Sequence, residues 1–208
     1  MTLRDEFGDI DVYLFDQLLR GRITKEMRIL DAGCGGGRNL IYLLRNGFDV
    51  WGVDEDPAAI VRVRELASRL APTLPTSRFA MESVDAMSFE TASMDVVISS
   101  AVMHFARDEA HWLAMLHEMW RVLAPNGLLF ARLATTVAQP ALIPLGGRRY
   151  RMPDGEDRFL VDHEMLIEQT NALGATLVDP IRSSVVHGAR SMGTWVMRKA
   201  THGAGPPG

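Results

Sequence analysis

Apolar positions along the chain recur at two spacings. Ile10, Leu14, Phe15, Leu18 and Leu19 share one face of a helix that Gly21 closes. Arg28 to Asp31 then predicts a short strand running into the glycines at 33 to 37. Residues 39 to 46 continue as a helix with Gly47 just past its end. A second strand follows over 48 to 53. Asp56 and Pro57 supply a cap and a first-turn proline for a helix to about Leu70, which Pro72 and Pro75 terminate. Arg78 to Met81 reads as a strand. Met94 to Ser99 is almost continuously apolar, as expected of a strand buried on both faces of a parallel sheet. Asp108 caps a helix through Val122, whose Trp112, Leu113, Leu116, Met119 and Trp120 keep helical spacing. The turn Pro125-Asn126-Gly127 leads into a strand over 128 to 133. Strand and helix in alternation predict a doubly wound, mostly parallel α/β sheet with helices on both faces.

The character changes after Thr135. Pro140, Pro144, Gly146, Gly147, Pro153 and Gly155 interrupt a segment, 135 to 161, that has no clear period, and a connection of this length in a compact domain is expected to be functional. It reads as a lid. Asp162 caps a further helix ending near Gly174, with final strands at 175 to 178, 183 to 187 and 194 to 198. The whole reads as one domain over 1 to 200, with a leading helix and cap in 1 to 25 and a Gly/Pro-rich tail, 201 to 208, expected to be disordered.

Composition narrows the functional classes. The 208 residues are 47% apolar and 23% charged, enough to hide roughly 70% of the unfolded surface around one core. With 22 Lys+Arg against 26 Asp+Glu the net charge is −4, the wrong sign for a protein whose affinity comes from polynucleotide phosphates. The single Cys34 excludes an internal disulfide and a thiolate zinc site, so no metal is expected. No apolar run approaches the roughly 20 residues that span a bilayer, and the first residues have no apolar signal core, so a cytoplasmic location and no membrane partner are expected.

The densest chemistry lies in Ile29 to Arg38. Small residues between a strand end and a helix start let backbone amides approach a ligand closely. Dinucleotide-binding folds place their fingerprint at the same spot, and Asp54, 21 residues after Gly33, is suited to a ribose diol in either case. Two features separate the readings. A G-x-G-x-x-G pattern begun at Gly33 needs glycine at 38, where this chain has Arg38. Asp31 also places a carboxylate before the loop, which repels a pyrophosphate and suits a cationic ligand.

From about Met27 to Leu133 these residues resemble the class I S-adenosylmethionine-dependent methyltransferases, through motifs in the family order. They are the glycine loop Leu30 to Gly37, the strand end Gly52-Val53-Asp54-Glu55, the loop Val84 to Met87, the stretch Met94 to His104, and Arg121 to Leu129, where Ala124 and Asn126 depart from the usual turn. The resemblance implies a Rossmann-like seven-stranded sheet with an antiparallel last strand and S-adenosylmethionine as cofactor. It implies that Asp31, Gly33, Cys34 and Gly35 cradle that cofactor. Asp54 would hold its ribose and Glu55 would lie against adenine. Asp85, Ala86 and Met87 would meet the adenine edge, and Ser99 and Ser100 would line the methionine portion. The central motifs also look like those of tellurite-resistance and thiopurine-type enzymes. The chemistry implied is in-line methyl transfer to a small molecule, in which the protein supplies alignment and a dry site.

His104 is the candidate substrate-facing group and general base. Tyr13 on the leading helix and Arg148, Arg149 and Tyr150 in the lid are candidates to grip an anionic or aromatic substrate, against the plainer readings of core packing and a solvated charge run. A nicotinamide-dependent oxidoreductase and a non-catalytic binding module of the same fold remain the alternatives.

Overall fold

The computed structural model describes residues 2–139, 142–186 and 190–201. The expected tail beyond Thr201, and His187 at the end of one expected strand, lie outside them.

The chain opens with two short helices, α1 (Leu3–Phe7) and α2 (Val12–Leu19). Strand β1 (Arg28–Ala32), helix α3 (Ile41–Arg45), strand β2 (Asp49–Asp54), helix α4 (Pro57–Leu70) and strand β3 (Phe79–Met81) follow. Then come β4 (Met94–Ser100), α5 (Glu109–Val122) and the long β5 (Leu123–Ala134). Three short strands, β6 (Ile143–Gly146), β7 (Arg149–Arg151) and β8 (Asp157–Phe159), precede α6 (His163–Ala172) and the closing β9 (Thr176–Leu177), β10 (Arg182–Val186) and β11 (Arg190–Arg198).

The main sheet runs β10-β11-β5-β4-β1-β2-β3, with β9 added against β11. Strands β3, β2, β1, β4 and β5 are mutually parallel, and β11 is antiparallel to β5. The expected mostly parallel sheet with an antiparallel last strand is therefore observed, with the two-residue β9 making an eighth strand. Neighbouring residues of β1 separate the two core layers. Leu30 joins Val97, Trp112, Leu116 and Trp195 on the α5 and α6 side, whereas Ile29 joins Leu14, Val50, Ile98 and Phe130 on the α2, α3 and α4 side. That division is why these strands read as unbroken apolar runs.

The caps form as the sequence demands. Asp56, Asp108 and Asp162 accept hydrogen bonds from the backbone amides of Ala58, His111 and Met165, each at 2.8 Å, satisfying donors that open helices otherwise leave bare. Asp11 does the same for α2, through Tyr13 at 2.9 Å.

Three elements differ from expectation. Helix α1, opened by a reciprocal Thr2–Asp5 capping box, precedes the expected leading helix. The helix after the glycines is five residues long, because the chain spends Gly37 to Leu40 on a turn. Much of the aperiodic segment 135 to 161 is a three-stranded antiparallel sheet, β6-β7-β8. Phe159 fastens it to the core, where its ring stacks on Trp112 at 6.2 Å. Strands of three or four residues are too short to show a period, so a loop was the natural expectation.

Candidate active site at the carboxyl edge of the sheet

The loops after β1, β2 and β4 surround a cavity of about 560 Å³, at the position where open α/β sheets bind their ligands. Its floor is the glycine loop. The amides of Gly33 and Cys34 both donate to the carbonyl of Val53, at 2.8 and 2.9 Å, pinning the loop to β2. Gly33 has φ +84°, and a Cβ there would lie 2.4 Å from the Val102 side chain. Gly35 has φ +52° and a Cβ there would meet no protein atom. The first glycine is thus required by packing and the second leaves bare backbone toward the cavity.

Asp54 stands at the cavity edge and braces this floor. Its carboxylate accepts from the Gly35 amide at 2.8 Å and the Asp56 amide at 2.9 Å. Glu55 also lines the space. Asp31 lies behind the floor, only 1% exposed, and its Oδ1 is buried without a hydrogen-bond partner among the described residues. Burial pushes its carboxyl up to about 7. The nearby Arg38 opposes that rise and Asp54 adds to it. A buried acid with an unused acceptor atom is short of a positive or hydrogen-donating partner. Cys34 is buried and its thiol is pushed up by burial, so it is a compact inert wall residue.

The adenine-side expectation shifts by one turn of chain. Ser83 and Val84 line the cavity, whereas Asp85, Ala86 and Met87 do not. The Ala86 amide donates to the Ser83 carbonyl at 3.1 Å, and this tight turn carries Asp85 and Ala86 outward. Met87 is buried in the core, its amide held by Glu118 at 2.8 Å. Asp85 still bears on the site indirectly: it accepts from the Ser83 hydroxyl, which holds its carboxyl below the usual range, and it stands 3.4 Å from the lining His111. His111, on α5, and Arg38 were absent from the expected set because nothing in their local sequence marks the side they face.

A second cavity of about 700 Å³ adjoins the first, and Arg38, Ser100 and Ala101 line both. Arg38 donates to the Ser100 hydroxyl at 2.9 Å. Ala101 is held at φ +66°, an unfavourable conformation for a residue with a Cβ and of the kind that collects at functional sites. Ser99, on β4, is fully buried and reaches neither cavity.

His104 lines the second cavity, only 8% exposed, with Nδ1 buried and unpartnered among the described residues. Burial, aided by the Arg158 charge, lowers it to about 4, so it is neutral at pH 7. Of the lid candidates none faces this space. Arg148 pairs with Asp162 at 2.7 Å, Arg149 with Asp157 at 3.7 Å, and Tyr150 packs against a small cluster around Leu160. Met152, Pro153, Asp154 and Arg158 from the same segment line the cavity in their place. Tyr13 stands behind the wall, its ring under the Arg132 guanidinium at 4.7 Å and its hydroxyl 2.6 Å from that of Ser184. Among the described residues no cluster of potential metal ligands occurs, and no helix is long and apolar enough to cross a membrane.

Residues 29–127 match a family model described as a methyltransferase domain. Over 102 residues the chain is 35% identical to the 2-methyl-6-phytyl-1,4-hydroquinone methyltransferase of Synechocystis, covering 49% of this chain and 30% of that protein. The chain spans less than half the length of the first curated relatives it matches. A solved SAM-dependent methyltransferase from Methanosarcina mazei superposes with a TM-score of 0.73 at 20% identity, covering 89% of this chain and 98% of that one. The Burkholderia thailandensis 1,6-didemethyltoxoflavin-N1-methyltransferase, solved with its substrate and S-adenosylhomocysteine, gives 0.69 at 21% identity over 95% of this chain and 80% of that one. Residues 29–127 are thus similar to a methyltransferase domain, and the chain shares its fold with solved S-adenosylmethionine-dependent methyltransferases.

Proposed function

We propose that this protein transfers a methyl group from S-adenosylmethionine to a small-molecule acceptor held in the second cavity. The observation that carries the reading is the junction of the two cavities, where one wall of Arg38, Ser100 and Ala101 serves both. A donor over the glycine loop and an acceptor beside His104 would meet at that wall, and such alignment is worth up to about 7 to 11 kcal/mol of a two-reactant barrier.

The cradle fits the cofactor. Bare backbone at Gly35 admits close approach, Asp54 presents a carboxylate for a diol, and behind the floor Asp31 holds a buried carboxyl whose ionised form a cation in the cavity would favour. When bound, the cofactor supplies an electrophilic methyl group on a sulfonium. Against it a nicotinamide dinucleotide fits poorly, because Arg38 stands where the dinucleotide fingerprint needs glycine.

His104 then acts on the acceptor. Neutral at pH 7, it would accept a hydrogen bond from an acceptor hydroxyl and take up the proton lost when that oxygen is methylated, the electron pair of the broken S–C bond staying on the sulfur of the departing S-adenosylhomocysteine. A methylated hydroxyl is strongly acidic, so even a weakly basic imidazole suffices. Met152, Pro153 and Asp154 from the turn between β7 and β8, Arg158 of β8 and the α2 cap Asp11 line one side of the chamber, where they would limit the access of water to a bound sulfonium.

The test uses deuteromethyl-labelled S-adenosylmethionine and a pool of small hydroxylated and amino compounds. We expect a labelled product, its rate lowered about 100-fold in His104→Gln while S-adenosylhomocysteine binding is unchanged. Labelled product formed equally fast by the variant would remove His104 from the chemistry. Binding without any transfer across the pool would favour the non-catalytic module.

A further inference from the structure

From the side chains that surround the second cavity we infer that the methyl acceptor carries an oxyanion, a carboxylate or a phosphate, which Arg158 and Arg190 hold while His104 faces the group to be methylated. The inference rests on the methyltransferase reading above and goes further, because it fixes the acceptor's charge.

Four arginines line this chamber, Arg38, Arg132, Arg158 and Arg190, with two acids, Asp11 and Asp154. They are not equivalent. Arg132 is consumed by structure. It pairs with Asp11 at 3.1 Å, both side chains nearly buried, and donates to the Met192 carbonyl at 2.9 Å. That pair cancels one charge of each sign. Among the described residues the hydrogen bond from Arg38 goes to a neutral hydroxyl, that of Ser100, and its charge acts on the buried Asp31. Arg158 stacks on Phe105 at 4.6 Å and its ion pair is with the mostly exposed Glu156, at 3.2 Å, a contact that water screens and that is worth little. Among the described residues Arg190 makes no ion pair. Among the described residues, Arg38, Arg158 and the exposed Arg190 thus line the cavity with Asp154 as the acid left outside the Arg132 pair, Arg38 also acting on the buried Asp31 and Arg158 on Glu156, inside a protein whose overall charge is −4.

A cleft lined mostly by one sign of charge, with walls of low polarisability, focuses its field on an entering anion. Guanidinium groups suit oxyanions because their paired N–H donors match two oxygens at once. The chamber's size excludes a polynucleotide and suits a small aromatic or aliphatic acid. The placement of Arg158 adds a consequence for the chemistry. Its charge is one of the two causes that keep His104 unprotonated. An anion on Arg158 offsets that charge and makes His104 a better proton acceptor only when the acceptor is bound.

Calorimetric titration of the S-adenosylhomocysteine-saturated protein with benzoate, phenyl phosphate and neutral benzamide tests this. One or both anions should bind at least about tenfold tighter than benzamide, and which of them binds better separates carboxylate from phosphate. The Arg158→Ala/Arg190→Ala double variant should lose that preference, and the Arg158→Lys/Arg190→Lys variant should keep part of it, while both retain full affinity for S-adenosylhomocysteine. Benzamide binding as tightly as the anions, anion binding that survives in the alanine variant, or no anion binding at all would overturn the inference. Failure of S-adenosylhomocysteine to bind the unaltered protein would strike the methyltransferase reading instead. The same anion titration without it then reports on the arginine chamber alone.

Discussion

Asp31 shows how one side chain links burial to ligand choice. Buried and unpartnered at Oδ1, it titrates near 7 because removal from water penalises its charged form, with Arg38 only partly compensating. Because its folded value lies above the ordinary 3.8, its contribution to stability is complete below about pH 4 and disappears as pH rises through about 7. A cationic ligand reverses this preference by favouring the charged carboxylate. Affinity for S-adenosylmethionine is therefore expected to rise as pH climbs through about 7, with release of a proton on binding below that point. Asp31→Asn should bind more weakly and with a flat pH profile. Calorimetry in buffers of different ionisation enthalpy measures the proton release directly, and a flat profile in the unaltered protein would contradict the assignment.

At the scale of elements, Asp11 ties three pieces of the fold together. Its side chain caps α2, its carboxylate pairs with Arg132 of β5, and its amide donates to Asn39 Oδ1 beside the glycine loop at 3.0 Å. Removing one partner of a nearly buried ion pair strands the other, so Asp11→Ala is expected to cost about 3–5 kcal/mol in chemical denaturation. Asp11→Asn keeps the cap and should cost less. A loss below about 0.5 kcal/mol would mean the pair is as weak as a surface one.

The same scale shows what the sequence could and could not tell. Glycine loop, Asp54 strand end, capped helices and apolar central strands were all legible, because each is set by residues within a few positions of one another. Arg158 was not. Within 148 to 158 four arginines compete, and only the pairing of β7 with β8 decides that Arg158 reaches the chamber while Arg148, Arg149 and Arg151 pair with Asp162 and Asp157. Arg190 reaches it from the far strand β11, more than 150 residues after Arg38. The shift from Asp85 to Ser83 has a similar origin, since a single turn hydrogen bond determines which side of that loop looks inward.

For the whole molecule, a doubly wound sheet brings two cavities to one edge, and the order of its strands decides which residues meet there. The loops after β1 and β2 line the first cavity. The end of β4 forms the shared wall, and β5, β10, β11 and the segment around β8 complete the second. In this reading the first cavity holds a cationic nucleoside amino acid rather than a dinucleotide. Isothermal titration of S-adenosylhomocysteine and of reduced nicotinamide dinucleotide, each into the unaltered protein and Asp54→Ala, tests it most directly. We expect one micromolar-range site for S-adenosylhomocysteine, weakened about 10- to 100-fold by Asp54→Ala, and no saturable heat from the dinucleotide. Saturation by the dinucleotide with silence from S-adenosylhomocysteine would contradict the account.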